Sequence, residues 1–124
     1  MTEKFSIKKR IKSFTYAFAG LRLLFREEHN ARIHAVAAML AVAAGVILHI
    51  APLEWVAVLT VTGMVIAAEI LNTSLERTAD FVKQERDDRK RDIKDLGAAA
   101  VLVCAITAAL VGLVIFVPKV IILF

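Results

Sequence analysis

Residues 96–117 form an unbroken run of twenty-two positions without one charged side chain, from Leu96 to Val117. A helix needs about 20 mostly apolar residues to cross the roughly 30 Å of bilayer hydrocarbon. A run this long has one economical meaning, a membrane-spanning helix. Two more candidates precede it. Residues 35–53 are apolar apart from His49, and residues 55–71 are apolar apart from Glu69 near the end. Of the 124 residues, 59% are hydrophobic and yet 23% are charged, with mean hydropathy +0.69. The charges must therefore be segregated between the apolar runs, and they are.

Their placement predicts an orientation. Eight of the sixteen Lys and Arg residues lie between Lys4 and Arg32, and seven between Arg77 and Lys94. The turn at 50–54 has none, and Lys119 alone follows the third span. Short cytoplasmic segments of membrane proteins carry the excess of Lys and Arg. The N-terminus and the 77–94 segment are thus expected inside, with the 50–54 turn and the C-terminus outside. Pro52 is expected to break the chain between the first two spans, because it lacks an N–H. Trp55 suits the interface beside it. Pro118 and Lys119 are expected to mark the exit of the third span.

The first thirty residues predict a surface helix. Phe5, Ile11, Phe14, Phe18, Leu21 and Phe25 recur at spacings of three to six, among Lys8, Lys9, Lys12 and Arg22. A basic amphipathic helix of this kind lies in the headgroup plane, and a plain electrostatic anchor would need nothing more. Residues 1–12 are basic, but no long uncharged run follows at once, so a cleavable leader is not expected. The net charge of +4 and pI near 9.5 point to anionic lipid rather than nucleic acid. The single Cys104 sits in an apolar run and rules out an internal disulfide framework. The expected architecture is an all-α membrane protein of one domain, residues 1–124. It has an N-terminal surface helix (1–30) and three spans (35–53, 55–71, 96–117). Three short helices can scarcely enclose a polar site alone, so a homo-oligomer is expected.

The chemistry is concentrated in Glu69-Ile70-Leu71-Asn72-Thr73-Ser74-Leu75-Glu76-Arg77-Thr78-Ala79-Asp80. Glu69, Asn72, Glu76 and Asp80 stand at i, i+3, i+7 and i+11, which on a helix falls within roughly 80° and about 16 Å. Three carboxylates and an amide therefore share a face that is expected to start in the membrane and end in the cytoplasm. Buried ionisable groups are costly in a bilayer, and a divalent cation or a proton would relieve their repulsion. Mg²⁺ held by one or two carboxylates and completed by phosphates and water would make a phosphoryl-transfer site. A proton relay in a small transporter or pore subunit fits the same ladder, and Asp80 fits a solvated helix end. Glu27-Glu28-His29-Asn30-Ala31-Arg32-Ile33-His34 and Asp92-Ile93-Lys94-Asp95 lie on the same predicted side. The first reads more readily as interface decoration. In the second, Asp92 is expected to cap the third span and Lys94 either to meet phosphate or to snorkel. His34 and His49 read as satisfied polar residues rather than metal ligands. No glycine-rich phosphate loop is present, since Gly20, Gly45, Gly63, Gly97 and Gly112 lie far apart.

Glu69-x-Leu71-Asn72-Thr73-Ser74-Leu75-Glu76-x-x-Ala79-Asp80 resembles the signature of the prokaryotic diacylglycerol kinase and undecaprenol kinase family. Gly20-Leu21-Arg22, Glu28, and Lys94-Asp95 before Gly97-Ala98-Ala99 fall where that family has them. The resemblance implies a homotrimer in the bacterial cytoplasmic membrane that phosphorylates a lipid alcohol with ATP and Mg²⁺ at the cytoplasmic face. By the same resemblance, Glu69 is the base that takes the alcohol proton, and Glu28 and Glu76 are the metal acids. Asn72, Asp80, Lys94 and Asp95 organise the nucleotide, with Tyr16 and Glu85 at further nucleotide positions. Arg22 and Ala98, with Glu69, border the lipid. Ala17, His34 and the stretch Glu28-x-Asn30-x-Arg32-x-His34 look more like the undecaprenol branch than the diacylglycerol branch.

Overall fold

The computed structural model describes residues 4–124. Among them are four helices and no strand: α1 (Ile7–Glu27), α2 (His29–Ile47), α3 (Pro52–Val82) and α4 (Asp88–Leu123). Of the expected surface helix 1–30, residues 1–3 lie outside the described residues. α2, α3 and α4 are each long and apolar enough to cross a membrane. The protein is an all-α membrane protein, as expected.

α1 begins where the Ser6 hydroxyl accepts the Lys9 N–H at 3.3 Å, an N-cap. Only Leu24 of this helix is buried, and Phe14, Tyr16 and Phe18 are left outward. The chain bends at Glu28, whose extended backbone (φ −105°, ψ 112°) separates α1 from α2. Arg32 secures the bend by donating to the carbonyls of Phe25 and Arg26, two of the acceptors that a helix end leaves unpaired.

α2 ends earlier than the expected 53. The Ile50 N–H reaches the Gly45 carbonyl at 3.2 Å and the His49 N–H reaches the Val46 carbonyl at 3.4 Å. These are the paired bonds of a Schellman ending. The position that usually takes glycine is His49, at φ 53°. Gly45 lets the turn close: a Cβ there would stand 2.8 Å from Trp55 Cη2 and 3.0 Å from Ile50 Cδ1. Pro52 does not merely interrupt the chain. It opens α3 at the first helical position, where a missing N–H costs nothing. Glu54 then reaches back and accepts the Ala51 N–H at 2.9 Å.

α3 and α4 pack as an antiparallel pair that makes most of the tertiary contact. A small cluster of Ile50, Val58 and Ile115, flanked by Trp55 and Phe116, sits toward the α2–α3 turn. Beyond it Lys119 Nζ meets Glu54 Oε2 at 2.8 Å. Most other large apolar residues of the spans, such as Leu102, Leu110 and Leu113, face outward, as lipid-facing side chains do. One helix runs past the expected end of its span, and one expected cap is corrected. α4 runs through Pro118 to Leu123, since a proline near a helix end removes only one late bond. The cap of α4 is Asp87, which accepts the Arg89 N–H at 2.8 Å; Asp92 lies inside the helix, where the capping geometry does not exist.

Candidate functional site

α3 continues unbroken from its apolar first half through the acidic ladder, so Glu69, Asn72, Glu76 and Asp80 are all carried by one helix. Glu69 is 2% exposed, the most enclosed carboxylate among the described residues. His34 of α2 approaches it, with Nε2 at 3.3 Å from Glu69 Oε1. Glu28, at the α1–α2 bend, and Glu76, two turns along α3, are near enough for their charges to act on it. The fold therefore gathers acids from separate parts of the sequence around one buried carboxylate.

Asn72 forms the next rung. Its Nδ2 donates to Glu76 Oε1 at 3.5 Å, a long contact, while its Oδ1 is buried without a donor. Gly97 of α4 packs directly on that amide. Glu69 Oε1 likewise receives no hydrogen bond. Buried oxygens are almost always paired, so two unpaired ones on adjacent rungs mark a place for something else to bind. Beside them Glu28 and Glu76 bring carboxylate oxygens, the kind of ligand a hard divalent cation prefers. No three His, Cys, Asp or Glu side chains among the described residues form a ready-made cage.

The far end of the ladder is basic. Asp80 Oδ1 meets Lys94 Nζ at 2.9 Å and Lys90 Nζ at 3.1 Å. Hydrogen bonds from Lys94 and then Lys90 hold the Asp80 carboxyl below its ordinary range. Lys90 is steadied further by the Lys83 carbonyl at 3.1 Å. A cleft of about 420 Å³ opens beside them, with Thr78, Lys83, Arg89 and Lys90 in its wall.

The remaining sequence-predicted residues are not drawn in. Tyr16 on α1 is 63% exposed. Glu85, in the loop between α3 and α4, is exposed and pairs with Lys83 at 3.5 Å. Arg22, Asp95 and Ala98 are exposed. Three contacts were beyond sequence reasoning: His34 on Glu69, Gly97 on Asn72, and Lys90 on Asp80. Gly97 alone left a trace, as the one glycine where α4 turns from charged to apolar.

Three membrane-crossing helices with an acidic ladder at one end describe a compact polytopic membrane protein with a polar site at its rim. Comparison with known proteins gives that class a chemistry. The model of the family "Prokaryotic diacylglycerol kinase" matches residues 15–116. The undecaprenol kinase of Bacillus subtilis is 32% identical over 113 residues, 91% of this chain and 92% of that protein. The diacylglycerol kinase of Synechocystis is 39% identical over 102 residues, 81% of this chain and 58% of that protein. The diacylglycerol kinase of Escherichia coli K12 is 32% identical over 100 residues, 81% of this chain and 82% of that protein. The chain belongs to the prokaryotic diacylglycerol kinase family and is a lipid kinase.

Proposed function

We propose that this protein transfers the γ-phosphate of ATP to a membrane lipid alcohol, undecaprenol ahead of diacylglycerol, with Mg²⁺ as the metal. It acts as a single-domain subunit of a homotrimer in the bacterial cytoplasmic membrane, with the lysine-rich end in the cytoplasm. The observation that carries this reading is the buried Glu69, 2% exposed in an apolar helix yet continuous with a ladder that ends at lysines. A hydroxyl carried by a lipid stays near the membrane, while ATP stays in water. A single helix face linking the two environments is what their reaction requires.

Glu69 is placed to take the proton of the lipid hydroxyl. The alkoxide-like oxygen then bonds to the γ-phosphorus as the bond to the β–γ bridging oxygen breaks, and ADP leaves. Orientation of both partners supplies much of such a rate. Glu28 and Glu76 would hold Mg²⁺, whose charge shields the phosphates when it is bound. Asn72, Lys94 and the Asp80 that anchors Lys94 order the polyphosphate. Asp95, Tyr16 and Glu85 are further nucleotide contacts, and Arg22 and Ala98 flank the lipid. Support for undecaprenol comes from the near full-length match to the Bacillus kinase and from His34 and its neighbours.

The test is direct. Purified protein in mixed micelles is given γ-labelled ATP and either undecaprenol or diacylglycerol, at equal mole fraction. Label in lipid, lost in Glu69→Gln while the oligomer persists, is expected. Absence of labelled lipid together with proton flux in vesicles would instead establish a proton-coupled transporter.

A further inference from the structure

We infer that His34 is a positioning residue: its imidazole orients the Glu69 carboxylate, fixing Oε1 so that Oε2 is presented to the hydroxyl. This rests on the assignment of Glu69 as the base. His34 Nε2 is 3.3 Å from Oε1, yet that oxygen accepts no hydrogen bond. A contact at that distance, not yet aligned, is typical of a catalytic pair before substrate arrives.

Four other basic groups near the site are engaged elsewhere. Arg32 holds the carbonyls of Phe25 and Arg26. Arg77 is bonded to Glu27. Lys90 and Lys94 share Asp80. The ionisable groups nearest Glu69 are His34 from α2, Glu28 from the bend and Glu76 from α3 itself, so His34 is the one potential donor among them.

The setting behind His34 excludes a solvated partner. It stands at one end of an apolar cleft of about 240 Å³ between α2, α3 and α4, whose walls are alanine, valine, glycine and phenylalanine apart from Thr62. The Thr62 hydroxyl is bonded to the Val58 carbonyl at 2.8 Å. A carboxylate whose Oε1 accepts no hydrogen bond has no fixed rotamer, and loss of a defined attack geometry is costly to rate. An imidazole anchored on the neighbouring helix removes that freedom.

The experiment compares His34→Gln with His34→Asn. Glutamine places an amide N–H near the Nε2 position, whereas asparagine stops about one bond short. Activity is measured in mixed micelles with undecaprenol and ATP, beside wild type, Glu69→Gln and His34→Asn/Glu69→Gln. The expected result is a loss in kcat of about tenfold or more in His34→Asn, about 1.4 kcal/mol in barrier. KM for ATP stays within about twofold, and His34→Gln keeps at least about half of wild-type kcat. In the Glu69→Gln background, His34→Asn adds no further loss. Equal kcat in the asparagine and glutamine variants, or a further loss in the double variant, overturns the inference. A fully active Glu69→Gln would instead remove the base itself, so the two failures are distinct.

Discussion

Gly97 of α4 lies against Asn72 of α3 so closely that a Cβ on the glycine would overlap the amide oxygen. The glycine is thus a spacer that sets where the second rung of the ladder stands. Gly97→Ala must push Asn72 toward Glu76 or part the two helices. A displacement of about 1 Å near reacting groups costs on the order of 100-fold in rate. Activity of Gly97→Ala is expected to fall by about that factor, with helical content by circular dichroism unchanged. Wild-type turnover in this variant would show that Asn72 tolerates displacement.

Lys94 and Lys90 are both tied to Asp80, and Lys90 also lines the neighbouring cleft. A charge-assisted bond to phosphate is worth about 1.5–3 kcal/mol. Lys94→Gln is therefore expected to raise KM for ATP by about tenfold or more, with the lipid KM little changed. ATP titration at saturating lipid measures this. An unaltered ATP KM would leave Lys94 as no more than an anchor for Asp80.

The Glu54–Lys119 pair ties the start of α3 to the end of α4 at the opposite end of the bundle. The hydrogen bond from Lys119, and then the Ala51 N–H, hold the Glu54 carboxyl below its usual 4.5. A carboxyl lowered on folding contributes stability above its unfolded value, and that contribution is lost as pH falls through the folded value. The apparent Tm in detergent is expected to drop as pH is taken below about 4.5. The Glu54→Gln variant should lack that component of the drop. Parallel curves for the two proteins would remove the pair from the acid response.

His49 adopts a left-handed backbone, φ 53°, to complete the Schellman ending of α2. That conformation costs an ordinary residue about 1–2 kcal/mol, and glycine far less. His49→Gly is expected to raise the apparent Tm by a few degrees, with little change in activity because His49 is at the far end of α2 from His34. A lower Tm would mean that the contact of His49 Nδ1 with the Ile47 carbonyl, 3.0 Å, matters more than the backbone strain.

The spans and the ladder were legible because each obeys a simple rule. Twenty-two uncharged residues admit few structures in water, and Glu69, Asn72, Glu76 and Asp80 can share a face only at helical spacing. Helix ends were less legible. Hydropathy stops reporting where a helix leaves the membrane, so α3 beyond Leu71 and α4 before Leu96 gave no apolar signal. The cap was misplaced from Asp87 to Asp92 because both are aspartates before the same apolar run. His34 and Glu69 are thirty-five positions apart, and only packing of α2 on α3 brings them together. Periodicity along one helix carries no information about a neighbour's side chain.

α3 is a single rod of 31 residues, about 46 Å at the usual rise. No hinge divides Glu69 from Asp80, so the vertical offset between the buried acid and the lysine-bound one is a constant of the backbone. Bilayer thickness is not constant, and a thicker leaflet would draw headgroups outward along this rod. On the role proposed for Glu69, this rod acts as a ruler set into the membrane, and the acid meets the lipid hydroxyl only where the leaflet has the matching depth.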